Sequence, residues 1–138
     1  MKLRLPCRDG RIMVFILGGS YQGKCDFARQ ELHIDPSDFF VCTEDTREID
    51  MSCRAIAHIE RFALGCVRRG EEPADFWRAH RDALEDKVLI CDDISCGVVP
   101  VDDTMRAWRE ATGRANNYLA GQADRVWRVF CGIGQVLK

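Results

Sequence analysis

Residues 11–25 have the sequence RIMVFILGGSYQGKC, and they carry the clearest structural signal in the chain. The run from Arg11 to Leu17 is apolar and rich in residues that favour β-structure, which predicts a strand buried on both faces. Glycines follow this run, and the segment from Lys24 to Leu32 places its apolar residues at helical spacing. We therefore predict a strand, a glycine-rich loop and a helix, in that order.

The loop between this strand and helix matches the pattern G-x-x-x-x-G-K-[ST] at every fixed position except the last. In this pattern the glycines let backbone N–H groups curl around a phosphate, the helix N-terminus adds its positive dipole end, and the lysine reaches the outer phosphates. The alternative, a glycine turn without a ligand, requires that Gly18, Gly23 and Lys24 coincide by chance. We predict that the loop binds the phosphates of a purine nucleoside triphosphate, and the candidate residues are Gly18, Gly19, Ser20, Gln22, Gly23, Lys24 and Cys25.

Cys25 stands where the pattern has serine or threonine, whose hydroxyl usually ligates Mg²⁺. A thiol is a poor ligand for that hard ion. Asp92 and Asp93 follow an apolar run, and an acid at the end of a neighbouring strand holds Mg²⁺ or its water in proteins with such a loop. These two aspartates are therefore the candidate metal ligands, and the alternative is ordinary turn chemistry at a strand end.

The rest of the chain alternates between strand-like and helix-like segments. Further strands are predicted at Phe39 to Cys42, Lys87 to Cys91 and Val126 to Cys131, and further helices at Asp50 to Arg69, from Pro73 to about Glu85, and from Asp103 to about Gly121. This order predicts an α/β, P-loop NTPase-like fold, with a mostly parallel sheet of four or more strands flanked by helices. We expect a single domain over residues 1–138, with residues 1–12 as a candidate N-terminal extension.

The composition narrows the class of protein. The chain has 138 residues and a formal net charge of −2, so it carries no overall basic field to attract nucleic acid or an anionic membrane. Its apolar runs are too short to span a membrane or to form a typical signal core. The 8 cysteines are scattered without C-x-x-C spacing, which favours reduced, buried thiols in a cytoplasmic protein.

From Lys87 to Lys138 the chain contains a long ordered set of motif residues: Asp92-Asp93, Gly97-Val98-Val99-Pro100, Arg106, Arg109, Gly113-Arg114, Asn116, Leu119, Ala123-Asp124, Val126 and Gly132-Ile133-Gly134. In these residues the chain resembles the adenosylcobinamide kinase/adenosylcobinamide-phosphate guanylyltransferase family. The start of the chain, from Ile16 through Lys24 to Phe27-Ala28, also resembles the family. The resemblance implies two activities: phosphorylation of adenosylcobinamide, and transfer of GMP from GTP to adenosylcobinamide phosphate.

The resemblance also implies that GMP passes through a guanylylated histidine, for which His58 is the candidate. Asp50-Met51, Arg54 and His58 keep the family's spacing, and Arg54 is carried over with the nucleotide site. A neutral imidazole can attack the α-phosphorus of GTP to give a phosphoramidate. The alternative is a half-buried histidine at the border of an apolar helix stripe. The implied ligands are Mg²⁺, GTP and/or ATP and a corrinoid, and the implied assembly is a homo-oligomer.

The chain departs from the family in its middle. Members carry another strand and a tryptophan-containing segment before the strand that starts at Val88, whereas Phe62 to Asp86 is predicted here to be helical only. One of the two activities could therefore have been lost. Two other functions stay open: a kinase of another small hydroxyl substrate, and a nucleotide-binding regulatory module without turnover.

Overall fold

A computed structural model describes residues 12–19, 22–94 and 102–138 of the chain. Its strands are β1 (Val14–Gly18), β2 (Phe39–Val41), β3 (Ala55–Ala57), β4 (Val88–Asp92), β5 (Arg125–Phe130) and β6 (Ile133–Val136). Its helices are α1 (Lys24–Glu31), α2 (Ile59–Arg68), α3 (Pro73–Ala79) and α4 (Asp103–Gln122), with short 3-10 turns at Pro36–Asp38 and Arg81–Leu84. Ser20 and the segment Gly97-Val98-Val99-Pro100 lie outside the described residues, as does the predicted extension 1–12 except for Ile12, which is buried.

The strands form one six-stranded sheet in the order β2-β3-β4-β1-β5-β6. All neighbouring strands are parallel except β5 and β6, which form an antiparallel pair. The α/β, P-loop-like architecture with a mostly parallel sheet is confirmed. Because β1 and β4 pair in register from Val14 opposite Val88 to Gly18 opposite Asp92, the two strands end together at one edge of the sheet.

The helices cover both faces of the sheet, so the core has two parts. On one face, Phe27 and Ala28 of α1 pack with Val14, Ile16 and Trp127. On the other face, helices α2, α3 and α4 pack on Phe15, Ile56 and Leu89 through apolar side chains that include Phe62, Trp77 and Leu119. No helix within the described ranges is long and apolar enough to cross a membrane.

The predicted helix from Asp50 to Arg69 is wrong in its first half. Residues 50–54 form turns, Ala55–Ala57 is the buried strand β3, and α2 begins only at Ile59. Ala55, Ile59 and Phe62 have helical spacing, but the three residues of β3 fill the place between β2 and β4 in the sheet. Sheet pairing over a short apolar segment has therefore overridden a local helical pattern.

Two further boundaries differ from the predictions. The segment predicted as one helix from Pro73 to about Glu85 ends as an α-helix at Ala79 and continues as a 3-10 turn, Arg81–Leu84. The strand predicted last in the chain is followed by β6, which the sequence did not indicate. The two strands are joined by Cys131 and Gly132, whose φ values of 49° and 75° both lie in the left-handed region that a tight hairpin turn requires.

The prediction that the cysteines are reduced agrees with the described part of the chain. All six cysteines in that part are free thiols. Cys42, Cys66 and Cys91 are buried, whereas Cys131 at the hairpin turn is exposed. Burial raises the pKa of the Cys66 thiol to about 11 and that of Cys42 to about 12, so both stay protonated at neutral pH.

Candidate functional site

A cleft opens at the edge of the sheet where β1, β3 and β4 end. Its volume is about 390 Å³. It is lined by residues from the phosphate loop, the start of α1, the start of α2 and the end of β4: Gly23, Lys24, Cys25, Asp26, His58, Arg61, Ile90 and Asp92. Ligands of open parallel sheets bind at this kind of edge, outside the carboxyl ends of the strands.

Lys24 is the first residue of α1 and its side chain is almost fully buried at the cleft. Its Nζ lies 2.6 Å from the carbonyl oxygen of Gly19 and 2.6 Å from Oδ1 of Asp92. The lysine is thereby held against the loop by one backbone acceptor and one carboxylate. Because phosphate oxygens offer the same kind of charged acceptor, they can take over the contact that Asp92 makes with the ammonium group.

The turn between β5 and β6 contacts the glycine-rich loop through two hydrogen bonds. The side-chain Oε1 of Gln22 accepts a hydrogen bond from the backbone N–H of Cys131 at 2.8 Å, and the carbonyl oxygen of Gln22 accepts one from Gly132 at 2.8 Å. Gly23 has φ 85°, and a Cβ atom built on it would lie 3.3 Å from the Cα of Gly132. Gln22 therefore fixes the loop against the hairpin, a role that its place in the phosphate pattern did not predict.

Gly18 ends β1 in a position that admits no side chain. A Cβ atom there would lie 2.5 Å from the carbonyl oxygen of Val129. The carbonyl oxygen of Gly18 accepts a hydrogen bond from the backbone N–H of Asp93 at 2.7 Å. The first glycine of the pattern is thus required by the close approach of β5 at Val129.

His58 follows β3 directly and precedes the first turn of α2. Its backbone is left-handed, with φ 57° and ψ 45°, a conformation that costs a non-glycine residue about 1–2 kcal/mol. Its Nδ1 lies 3.0 Å from Oε1 of Glu60 and 3.8 Å from Oδ2 of Asp92, and its side chain is 36% exposed. The hydrogen bond with Glu60 raises the pKa of His58, and the charges of Glu60 and Asp92 raise it further against the opposing effects of burial and Arg61.

Glu60 is a site residue that the sequence analysis missed. The residue is only 3% exposed, although it lies in the first turn of α2 beside the apolar stripe. Its Oε1 contacts His58, its backbone oxygen accepts a 2.7 Å hydrogen bond from Nε1 of Trp108, and its Oε2 is buried with no hydrogen-bond partner among the described residues. A carboxylate two positions after the histidine, next to buried apolar residues, was the available signal.

The remaining candidate residues, Cys25 and Arg54, differ in their position relative to the cleft. The half-buried Cys25 lines the cleft, and burial is the main cause that raises the pKa of its thiol, so it offers no anionic ligand at neutral pH. Arg54 lies outside the cleft: its N–H donates to Asp38, and its carbonyl oxygen accepts from the N–H of Val88, at the start of β4. The cleft lies beside Asp92 at the other end of β4, and Arg54 is not among the residues that line it, so its place in the nucleotide site stays a prediction.

The fold and the cleft define the class of protein, an α/β protein with a P-loop-like arrangement of strand, glycine-rich loop and helix. The family model of cobinamide kinase / cobinamide phosphate guanyltransferase matches residues 67–137, which is half of the chain. The chain belongs to this family.

Two curated relatives carry the name CobU, which is also the name of this family model. The chain is 41% identical over 94 residues to the bifunctional adenosylcobalamin biosynthesis protein CobU of Salmonella typhimurium, an alignment that covers 56% of this chain and 50% of the relative. It is 39% identical over 51 residues to the protein of that name from Escherichia coli K12, which covers 37% of this chain and 28% of the relative. The chain thus spans half of the Salmonella protein, and it matches a smaller share of the Escherichia coli protein.

Proposed function

We propose that the chain is a nucleotide-dependent transferase of cobalamin biosynthesis. It phosphorylates adenosylcobinamide, transfers GMP from GTP to adenosylcobinamide phosphate, or does both, and GMP passes through a guanylyl group on His58. The observation that carries this proposal is that His58 and Lys24 line one cleft and both lie beside Asp92. Family membership supports the substrate class, a corrinoid, and the nucleotides GTP and/or ATP.

In this proposal the triphosphate lies along the glycine-rich loop. Gly19, Gly23 and the N-terminus of α1 provide backbone N–H groups, and Lys24 transfers its charge contact from Asp92 to the outer phosphates. The carboxylate of Asp92, with Asp93 beside it, suits Mg²⁺, whereas the protonated thiol of Cys25 does not. When bound, Mg²⁺ would neutralise phosphate charge, and water and phosphate oxygens would fill the place of the missing hydroxyl.

Glu60 orients His58, and His58 is the nucleophile. When Nδ1 of the neutral imidazole donates its hydrogen to Oε1 of Glu60, Nε2 keeps the lone pair. Attack of Nε2 on the α-phosphorus forms a P–N bond, breaks the bond to the β-phosphate bridging oxygen and releases pyrophosphate. A phosphate oxygen of adenosylcobinamide phosphate then attacks the same phosphorus, breaks the P–N bond and frees His58.

The proposal is tested by following the two ends of GTP separately. Purified protein is incubated with adenosylcobinamide or its phosphate, Mg²⁺, and GTP labelled at the α- or the γ-phosphorus. We expect α-label in the product from adenosylcobinamide phosphate, and γ-label in adenosylcobinamide if the kinase activity is present. Tight GTP binding with neither label transferred would contradict the proposal and favour a regulatory nucleotide-binding module. Phosphorylation of a different hydroxyl substrate alone would favour the other kinase.

The pH dependence of GMP transfer provides a second prediction. Protonated His58 lacks the lone pair at Nε2, and its pKa is raised above the usual 6.5 by Glu60 and Asp92, with Arg61 opposing and Lys24 beside Asp92. The rate therefore rises with pH, and its midpoint lies above 6.5. In the Glu60→Gln variant the midpoint moves to lower pH, because the carboxylate charge is removed. Initial rates of α-label transfer measure both midpoints, and equal midpoints would contradict the role of Glu60.

We also propose that the protein forms a homo-oligomer through the β5–β6 hairpin. Phe130, Ile133 and Val136 of these strands are 62%, 71% and 54% exposed, and the edge strand β6 leaves one row of backbone groups unpaired by β5. Analytical ultracentrifugation measures the assembly state of the wild-type chain and of an Ile133→Lys variant. We expect an oligomer for the wild type and a monomer for the variant, because the lysine places a charge in the apolar surface. A monomeric wild-type chain would contradict the assembly.

A further inference from the structure

We propose that His58, Glu60 and Asp92 form a binding site for a divalent transition-metal ion such as Mn²⁺. One donor atom from each residue, an imidazole nitrogen and two carboxylate oxygens, lies within 4.8 Å of the others. The donors come from the end of β3, the first turn of α2 and the end of β4, so the packing of three elements brings them together. The site overlaps the cleft but does not coincide with the predicted pair of Asp92 and Asp93.

The second oxygen of Glu60 independently indicates a ligand. Glu60 is 3% exposed, and its Oε2 is buried without a hydrogen-bond partner among the described residues. A buried carboxylate oxygen without a hydrogen-bond donor among the described residues is costly, because burial removes its hydration without replacing it. A cation between Glu60, His58 and Asp92 would satisfy this carboxylate at the position where the three donors converge.

The mixed donor set indicates which ion is bound. Mg²⁺ takes oxygen ligands in a nearly ideal octahedron and keeps most of its water, whereas imidazole nitrogen adds affinity for the first-row transition metals. Mn²⁺ accepts both carboxylate and imidazole ligands and has little preference for thiols, so the cysteines of this chain do not compete for it. The site therefore favours Mn²⁺ over Mg²⁺, and it forms without the hydroxyl that Cys25 lacks.

The position of the ion on the imidazole has a chemical consequence that rests on the proposed function. A metal at Nδ1 uses that lone pair, so Nε2 of the neutral ring then carries the hydrogen. His58 in this state has no lone pair for attack on phosphorus. An ion bound at Nδ1 therefore prevents the attack of Nε2 on the phosphorus.

The site is tested with Mn²⁺ alone, on the purified full chain without nucleotide or corrinoid. Electron paramagnetic resonance measures free Mn²⁺, and pulsed spectra of the bound ion detect coupling to a ligand nitrogen. We expect one bound ion per chain, coupling to one nitrogen, and displacement by Mg²⁺ only at an excess of at least about tenfold. Glu60→Gln weakens binding by at least about tenfold, whereas Glu44→Gln, which removes an exposed partner of Arg68, leaves it unchanged.

A second variant, His58→Gln, tests the site independently if Glu60→Gln does not fold. His58→Gln changes a partly exposed side chain, and circular dichroism establishes that each variant is folded. Loss of the nitrogen coupling in His58→Gln is the expected result. Binding that neither variant weakens, or a wild-type spectrum without nitrogen coupling, overturns the site. Because the measurement uses no GTP, failed GMP transfer with intact Mn²⁺ binding would contradict the proposed function alone.

Discussion

Replacing Lys24 by Met is expected to lower the affinity for GTP by roughly ten- to a hundredfold, because a contact to a charged group contributes roughly 1.5–3 kcal/mol and each 1.4 kcal/mol is tenfold in affinity. Lys24 is buried at the cleft and already holds Gly19 and Asp92 at 2.6 Å. Methionine keeps most of the apolar stem and removes only the charged end. Isothermal titration with GTP and Mg²⁺ measures the change directly.

The matched control is Lys138→Met. The ammonium group of Lys138 contacts the carbonyl oxygens of Ala120 and Gly121 at the exposed C-terminal end of the chain, away from the cleft residues. Its GTP affinity is expected to equal that of the wild type. Thermal unfolding of Lys24→Met shows whether loss of the ion pair between Lys24 and Asp92 has weakened the fold. A folded Lys24→Met protein that binds GTP within about threefold of the wild type would overturn the phosphate site.

Replacing Trp77 by Ala is expected to lower the free energy of unfolding by about 3–5 kcal/mol, as large-to-small substitutions of buried aromatics do. Trp77 is 1% exposed, and its ring centroid lies 5.5 Å from that of Phe62 and 5.1 Å from that of Phe76. These three rings join α2 to α3 over the face of the sheet. The substitution therefore tests whether the helical segment from Phe62 to Asp86 forms a true core layer.

Chemical denaturation of the wild type and of Trp77→Ala measures this loss. Asp82→Ala provides the control, because the side chain of Asp82 is 97% exposed in the same segment and substitutions at exposed sites usually change stability by less than about 0.5 kcal/mol. Equal stability losses in the two variants, or a loss below about 1 kcal/mol in Trp77→Ala, would show that the ring does not anchor this layer.

The first strand, the glycine-rich loop and the helix after it were predictable because their signals are local. The apolar strand, the spacing of Gly18, Gly23 and Lys24, and the helix that follows all lie within one stretch of chain, and their geometry depends little on distant residues. The alternation of strands and helices then leads to a mostly parallel sheet. Asp92 lies far along the chain from the loop, and the parallel topology placed it near the loop, because β1 and β4 end together at one edge of the sheet.

The elements that were missed depend on distant contacts. Ala55, Ile56 and Ala57 become a strand because β2 and β4 leave room between them, and nothing in the three residues separates a strand from a helix turn. Arg54 directly precedes this strand and lies at its amino end, whereas His58 directly follows the strand and lines the cleft. Glu60 becomes important only because α2 turns its carboxylate inward, and this orientation is set by packing of the helix.

Whether His58 carries GMP is the central claim, and covalent labelling tests it most directly. The wild type, His58→Ala and the control His80→Ala are incubated with Mg²⁺ and GTP labelled at the α-phosphorus, then denatured and freed of bound nucleotide. His80 is a suitable control because its Nδ1 contacts the backbone oxygen of Phe76, and the residue does not line the cleft. We predict label that survives denaturation and is released by acid, in the wild type and His80→Ala but not in His58→Ala. Absence of label in a wild-type protein that binds GTP, or equal label in His58→Ala, would contradict the account.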